Sequence, residues 1–213
     1  MERWATFDCY GTLIDWEGGV SRELARVFGA AAVTERLAQY HSVEREIQRD
    51  GSLSYREVLT ECMRRLGAPV RDVHSLAESL PAWTAFPEAH DALAEARARG
   101  WKLAVLSNTD DDYIAASQVQ LGITFNEVVV AQEIGSYKPA HKHWDEFFAR
   151  THAPREGHVH VAASSFHDIA PANELGLRSV WINRLGETSA NVPTRELSDL
   201  RTLPEVLDEL VPA

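Results

Sequence analysis

Four polar segments of the sequence could together carry out nucleophilic chemistry, and each comes after a short apolar run. Asp8 lies in FDCYGTL, Ser107 and Asn108 end KLAVLSN, Lys138 lies in YKP, and Asp168 ends SSFHD. A carboxylate can attack carbon, and a nearby ammonium favours its charged form by lowering its pKa. Taken singly, each segment also fits a simpler role. Asp, Ser and Asn are common helix N-caps, and a lone lysine in a loop is usually solvated.

Five short apolar runs, separated by sequence compatible with helices, are expected to position these segments. They cover residues 4–9, 102–107, 127–131, 158–163 and 179–182. Valine-rich runs of this length, with helices between them, predict a buried parallel sheet built from βαβ units. Ligands of such sheets bind beyond the carboxyl ends of the strands. The four polar segments are therefore expected to meet at that edge.

The stretch between the first two predicted strands is much longer than a crossover needs. Residues 16–85 have helical apolar spacing and no convincing strand. We interpret them as an inserted α-helical cap over the carboxyl edge of the sheet. The predicted fold class is α/β: a doubly wound, Rossmann-like parallel-sheet core formed by residues 1–15 and 86–213, with the cap as a second subdomain. Residues 192–213 are predicted to form a docking loop and a short helix.

Composition and charge limit which kinds of molecule the protein is expected to bind. The 213 residues include 21 Lys and Arg against 32 Asp and Glu, a net charge of −11, which argues against binding to nucleic acid or anionic lipid. No apolar run approaches the ~20 residues that span a bilayer, and the first residues lack the apolar stretch of an export signal. Cys9 and Cys62 are too few for a disulfide framework, which favours a cytoplasmic location. The expected partner is a small molecule, with no nucleic acid and no membrane.

Taken together, the polar segments resemble the four motifs of the haloacid dehalogenase superfamily. Residues 7–13 match the first motif, residues 106–108 the second, Lys138-Pro139 the third, and residues 167–169 the end of the fourth. The order and spacing agree over the whole chain, and the predicted cap falls where the family inserts a helical cap. The resemblance implies the superfamily's core fold.

Two positions bear on the branch of the superfamily. Its phosphatases carry an acid two positions after the nucleophile and usually another four positions before the last Asp, where this sequence has Tyr10 and Ser164. Tyrosine, with a pKa of ~10, is a poor acid at neutral pH, and Mg²⁺ prefers carboxylate oxygens. A halide needs no proton to leave. Together with VWINR at residues 180–184, these positions resemble the L-2-haloacid dehalogenase (type II) branch, which uses no metal or organic cofactor.

That resemblance implies hydrolytic dehalogenation of short 2-haloalkanoic acids through an aspartyl ester, giving a 2-hydroxy acid and halide. Asp8 would attack C2, Lys138 would lower the pKa of Asp8, and Asp168 would orient or deprotonate water. A cap arginine would stabilise the departing halide, and Arg45 is the candidate ahead of Arg36 and Arg49. The substrate-binding residues implied are Tyr10, Thr12, Arg45, Ser107, Asn108, Ser165 and Phe166.

Some positions depart from the branch and keep alternatives open. Ala163 and Ser165 stand where the best-known members carry Ser and Asn, and Asp110 adds negative charge near an expected anion site unless it turns outward to cap a helix. His158 and His160 share one strand face, where packed histidines are favoured over a metal pair. A Mg²⁺-dependent phosphatase of a small phosphate ester and a non-catalytic or differently specialised relative are the alternatives. Family members are often dimers, so a homodimer stays open.

Overall fold

Six parallel strands form one sheet in the computed structural model, which describes residues 1–49 and 51–213. The strand order is β3-β2-β1-β4-β5-β6. The strands are β1 Arg3–Phe7, β2 Trp101–Ser107, β3 Glu127–Val130, β4 His158–Ala162, β5 Arg178–Ile182 and β6 Arg195–Leu197. The five predicted strands are confirmed, with ends that differ by at most two residues. The α/β class with a parallel sheet is therefore confirmed.

The sixth strand was not predicted. The tail was expected to hold a loop and a short helix, and that interpretation is wrong for Arg195–Leu197, which pairs in parallel with β5. Three residues with two charged side chains carry no alternation of apolar and polar positions, so they lack the usual strand signal. The predicted tail helix is present at Leu203–Leu210.

Helices cover both faces of the sheet. In the described residues they are α1 Trp16–Phe28, α2 Val33–Gln48, α3 Tyr55–Arg65, α4 Ser75–Ser79, α5 Ala89–Ala98, α6 Asp111–Leu121, α7 Ala131–Ile134, α8 Lys142–Thr151, α9 Ala170–Glu174 and α10 Leu203–Leu210. Phe7 and Val105 belong to an apolar layer shared with α5 and α10, whereas Trp4 and Leu106 belong to a layer shared with α8. Strand residues alternate between two buried faces, so the sheet is doubly wound.

Helices α1 to α4 lie in the stretch predicted to be the cap. The carboxylate of Asp15 accepts a hydrogen bond from the backbone N–H of Gly18 and so caps α1. Ser54 and Glu57 form a reciprocal capping box at the start of α3. The stretch leaves and rejoins the core at one place, because the N–H of Asp15 donates to the carbonyl of Thr84 at 2.9 Å. None of the described helices is long and apolar enough to cross a membrane.

The strand order brings the polar segments together. β1 lies between β2 and β4, and Phe7 is level with both Val105 and Val161. The residues just beyond these three strands therefore meet at one carboxyl edge, as expected for an open α/β sheet.

Candidate active site

Asp8 lies one residue beyond β1 and is held there by both backbone and side chain. Its N–H donates to the carbonyl of Val161 at 3.0 Å. The hydroxyl of Thr12 donates to Asp8 Oδ2 at 2.7 Å, and Thr12 Oγ1 itself accepts the N–H of Ala163 at 2.8 Å. The turn between Asp8 and Thr12 contains Gly11 at a φ of +92°, which only glycine adopts readily. Thr12 thus lies behind the carboxylate and fixes its orientation.

Lys138 is buried between two carboxylates. Its Nζ donates to Asp8 Oδ1 at 3.0 Å, to Asp168 Oδ1 at 2.7 Å and to the carbonyl of Leu106 at 2.8 Å. These bonds use all three donors of an ammonium. Asn108 fixes the lysine backbone, because its amide accepts from the N–H of Lys138 and donates to the Lys138 carbonyl. We call Asp8, Lys138 and Asp168 the core triad.

Charge is distributed unequally within the core triad. Burial alone would raise the pKa of Asp168, but the Lys138 ammonium and His160 outweigh it and hold that pKa well below its usual value. Burial raises the pKa of Asp8, and the charge of Asp168 adds to this against the opposing effect of Lys138. Lys138 thus acts on the pKa of Asp8 in the expected direction, but burial and the charge of Asp168 outweigh it. The ammonium lies closer to Asp168 Oδ1, at 2.7 Å, than to Asp8 Oδ1, at 3.0 Å.

Among the buried polar atoms that have no hydrogen-bond partner in the described residues are Ser107 Oγ and Asp168 Oδ2, both at this edge of the sheet. An unpaired buried polar atom is unfavourable, so such an atom in a cavity wall is ready to bond a ligand or water. Ser107 can donate to an anion. Asp168 Oδ2, as part of an ionised carboxylate, can only accept.

A cavity of about 520 Å³ opens at this edge of the sheet. Of the predicted site residues, the structure brings Asp8, Tyr10, Arg45, Ser107, Asn108, Lys138 and Asp168 into its lining. Of the three cap arginines considered, Arg45 lines this cavity. Arg36 donates instead to the carbonyl of Leu66, and Arg49 lines a neighbouring opening. Burial raises the pKa of Tyr10 further above its usual value, so Tyr10 is not an acid here.

Three predicted substrate-binding residues, Thr12, Ser165 and Phe166, are not brought into the lining. Ser165 Oγ is paired with Ser189 and accepts from the amide of Asn191. The ring of Phe166 is 56% exposed and lines the neighbouring opening. For Ser165 and Phe166 the cause is the π-helical turn Ser165–Ile169 beyond β4, whose wider turn changes which side chains face inward. His167 lines the cavity in their place, and burial lowers its pKa to about 4.

Asp110 does not oppose anion binding. Its carboxylate accepts the N–H groups of Tyr55 and Arg56 at 2.8 and 2.9 Å, so it stabilises the start of α3. The alternative in which Asp110 turns outward to cap the next helix is wrong, because its side chain is buried and makes no capping hydrogen bond to α6 among the described residues. It joins the core to the inserted helices instead.

Glu44 of α2 also lines the cavity, and it was not among the predicted site residues. Glu44 is 9% exposed, and its Oε1 accepts the hydroxyls of Tyr40 and Tyr55, each at 2.9 Å. Trp16 donates in turn to the hydroxyl of Tyr55 at 3.2 Å. Burial raises the pKa of Glu44 to about 7. We call these four residues the cap acid cluster; the spacing of Tyr40 and Glu44 on one helix face was the signal available.

Whether the site could hold Mg²⁺ depends on its donor set. Mg²⁺ is bound by carboxylates, waters and substrate oxygens in near-octahedral geometry. Asp8 Oδ1 and Asp168 Oδ1 each accept a hydrogen bond from the Lys138 ammonium. Position 164 is a serine whose hydroxyl is hydrogen-bonded to His167. The described residues contain no group of three or more His, Cys, Asp or Glu side chains that could hold a metal ion. These residues do not fit a magnesium site.

Comparisons with known proteins agree with this architecture. A family model described as haloacid dehalogenase-like hydrolase matches residues 3–176. The (S)-2-haloacid dehalogenase 4A of Burkholderia cepacia is 25% identical over 221 residues, covering 99% of this chain and 94% of that protein. The phosphoserine phosphatase of Thermus thermophilus is 27% identical over 186 residues, covering 83% and 75%.

A solved structure gives the same overall arrangement. The L-2-haloacid dehalogenase from Xanthobacter autotrophicus with chloropropionic acid covalently bound superposes with a TM-score of 0.84 at 18% identity. The match covers 97% of this chain and 98% of that one. At this identity the likeness establishes the fold.

Proposed function

Since the chain belongs to the haloacid dehalogenase-like hydrolases, we propose that it hydrolyses the carbon–halogen bond of short 2-haloalkanoic acids. The observation that carries this proposal is the core triad, in which Asp8 faces the cavity beside a buried ammonium. Neither of the positions that supply acids in the phosphatases holds one, since they are Tyr10 and Ser164. A halide leaves without a proton, so the reaction needs no acid there.

In the first step, an oxygen of the Asp8 carboxylate attacks C2 of the substrate from behind the carbon–halogen bond. The new C2–oxygen bond forms as the carbon–halogen bond breaks, so C2 is inverted and an aspartyl ester results. Ser107 Oγ, which is otherwise unpaired, donates to the substrate carboxylate. Arg45 faces the same cavity from α2 and stabilises the departing halide.

In the second step, water attacks the carboxyl carbon of the ester. Asp168 Oδ2 accepts a proton of that water, because it is ionised and has no other partner among the described residues. The bond between the carbonyl carbon and the ester oxygen breaks, the leaving alkoxide takes the proton held by Asp168, and the 2-hydroxy acid departs. The carboxyl group of Asp8 loses the other proton of the water to solvent, so both carboxylates are restored and one proton is released for each halide.

We also propose the division of labour within the chain. Residues 1–15 and 86–213 act as the catalytic core, and residues 16–85 act as the cap that closes the cavity. The small volume of the cavity supports a small molecule as the partner, with no nucleic acid and no membrane. The free, buried thiols of Cys9 and Cys62 suit a cytoplasmic location. A homodimer is part of the hypothesis, to be tested by sedimentation velocity.

Halide release tests the proposal directly. The purified chain should release chloride from L-2-chloropropionate or monochloroacetate without added metal, at a rate that EDTA does not change. Asp8→Asn should abolish release, whereas Asp91→Asn, at an exposed position on α5, should match the wild type. Hydrolysis of phosphate esters that needs Mg²⁺, without any halide release, would overturn the proposal in favour of a phosphatase.

A further inference from the structure

A chain of buried hydrogen bonds runs beneath the core triad, within the apolar layer that packs on α8. It is formed by Thr6 of β1 with His158 and His160 of β4, all fully buried. Thr6 and His160 are level with each other in the parallel pairing of the two strands. Three polar side chains in an apolar layer require partners, because an unpaired polar group there is unfavourable.

The distances connect this chain to the site. Thr6 Oγ1 lies 2.8 Å from His158 Nε2 and 2.8 Å from His160 Nδ1. His160 Nε2 lies 3.0 Å from Asp168 Oδ1, the oxygen that also accepts from Lys138. The chain therefore ends on the carboxylate whose other oxygen is unpaired.

Aromatic contacts fix both imidazole rings. The ring of Trp144 meets His160 edge-on at a centroid separation of 5.1 Å. Phe147 and Phe148 pack on His158 at 5.4 and 5.1 Å. These contacts hold the plane of each ring, and the hydrogen bonds at the ring edges then place a nitrogen against each partner.

The direction of each hydrogen bond follows from Asp168. Its carboxylate is ionised and can only accept, so the proton must lie on His160 Nε2. In the neutral ring Nδ1 then accepts the hydroxyl proton of Thr6. Thr6 Oγ1 in turn accepts from His158 Nε2, and burial keeps His158 uncharged by holding its pKa well below the usual value.

We propose that His160 is a positioning residue for Asp168, and that Thr6 holds the His160 ring in the required tautomer. The Nε2–H of His160 fixes Oδ1 of the carboxylate, so that Oδ2 is presented to the water that hydrolyses the ester. A hydrogen bond to a charged group is worth roughly ten- to a hundredfold in a rate or an equilibrium. The kinetic part of this inference rests on the proposed dehalogenation.

The two chemical steps depend on different carboxylates. Ester formation depends on Asp8, whereas ester hydrolysis depends on Asp168. Replacing His160 should therefore slow the second step more than the first. A merely structural role for His160 would slow both steps alike, because it would disturb the whole carboxyl edge.

Single-turnover kinetics test this separation. His160→Phe should slow ester hydrolysis by about tenfold or more and ester formation by less than about threefold. Halide release should then show a burst phase. The ester-bound chain should accumulate and be visible by intact mass spectrometry. His160→Gln keeps a donor near the position of Nε2 and should recover much of the hydrolysis rate. Equal slowing of both steps, or no slowing, would overturn the inference.

A second measurement needs no turnover. Long-range ¹⁵N–¹H spectra of the wild type should show the His160 proton on Nε2, and Thr6→Val should change that signal more than Thr6→Ser. A ring with no proton on Nε2 would overturn the proposed contact. If the wild type releases no halide from any haloacid, the proposed function fails, while these spectra still decide whether His160 donates to Asp168.

Discussion

Two buried acid clusters line one cavity, and they handle negative charge in opposite ways. In the core triad, the ammonium of Lys138 lies between two carboxylates and keeps Asp168 ionised. In the cap acid cluster, Glu44 accepts two phenol hydroxyls and forms no salt bridge within the described residues, and burial raises its pKa to about 7. The difference teaches that burial alone does not set the charge of an acid. A cation stabilises the ionised form far better than neutral donors do.

The core triad, on the core side of the cavity, and the cap acid cluster, on the cap side, can do different chemistry. The core side supplies a fixed charge pattern suited to nucleophilic attack and water activation. The cap side supplies Glu44, an acid with its pKa raised to about 7, in the wall of the same cavity. Removing the cation from one side and the titrating group from the other should therefore have different consequences.

The largest effect is expected when the core triad loses its cation. Lys138→Met leaves Asp8 and Asp168 buried without an opposite charge, and breaking such a pair typically costs about 3–5 kcal/mol of stability. Activity should fall by about 10²- to 10³-fold, because the site loses the charge beside Asp8 and most of the Asp8 population becomes protonated. Chemical denaturation and halide release measure the two effects. Lys142→Met, at the partly exposed start of α8, is the control. Near-normal activity of Lys138→Met would contradict the role given to the core triad.

A smaller effect, dependent on pH, is expected from the cap acid cluster. The pKa of Glu44 is raised to about 7 in the folded chain from a usual value of 4.5. Its contribution to stability is therefore fully present below pH 4.5 and is lost as the pH rises through 7. One pKa unit corresponds to 1.36 kcal/mol, so the loss in the free energy of unfolding amounts to about 3 kcal/mol.

Glu44→Gln isolates this contribution, because its amide oxygen still accepts both phenols while the titration is removed. Between about pH 5 and pH 7.5, the free energy of unfolding of the wild type should fall relative to that of the variant. Urea denaturation across this range measures the difference. Glu46→Gln, exposed on the same helix, should run parallel to the wild type. Parallel curves for Glu44→Gln as well would show that Glu44 does not titrate in this range.

The smallest effect is expected where the two sides are joined. Asp110 accepts two N–H groups at the start of α3, and Asp110→Ala should remove about 1 kcal/mol of stability. Amide hydrogen exchange should increase in the first turn of α3 and stay unchanged in β1. Asp112→Ala, an exposed neighbour, provides the reference. Unchanged exchange at Tyr55 and Arg56 would mean that the contact does not hold the two sides together.

Much of the core was predictable, because its signals are local. The runs before Asp8, Ser107 and Asp168 are apolar over the length of a buried strand, and parallel strands bring their carboxyl ends to one edge. The placement of Ser165 and Phe166 was not predictable. A π-helical turn beyond β4 decides which side chains face the cavity, and the residue types within the turn do not reveal it.

The amino-acid sequence by itself determined the α/β class, the long helical stretch after the first strand and the position of the candidate nucleophile Asp8, because each depends on residue type and on spacing along the chain. Only the tertiary structure decided that Lys138 lies between Asp8 and Asp168, that Glu44 accepts two phenols at the cavity wall, and that His160 reaches Asp168. Charge state and hydrogen-bond direction depend on distances between side chains from different elements, and folding alone sets those distances.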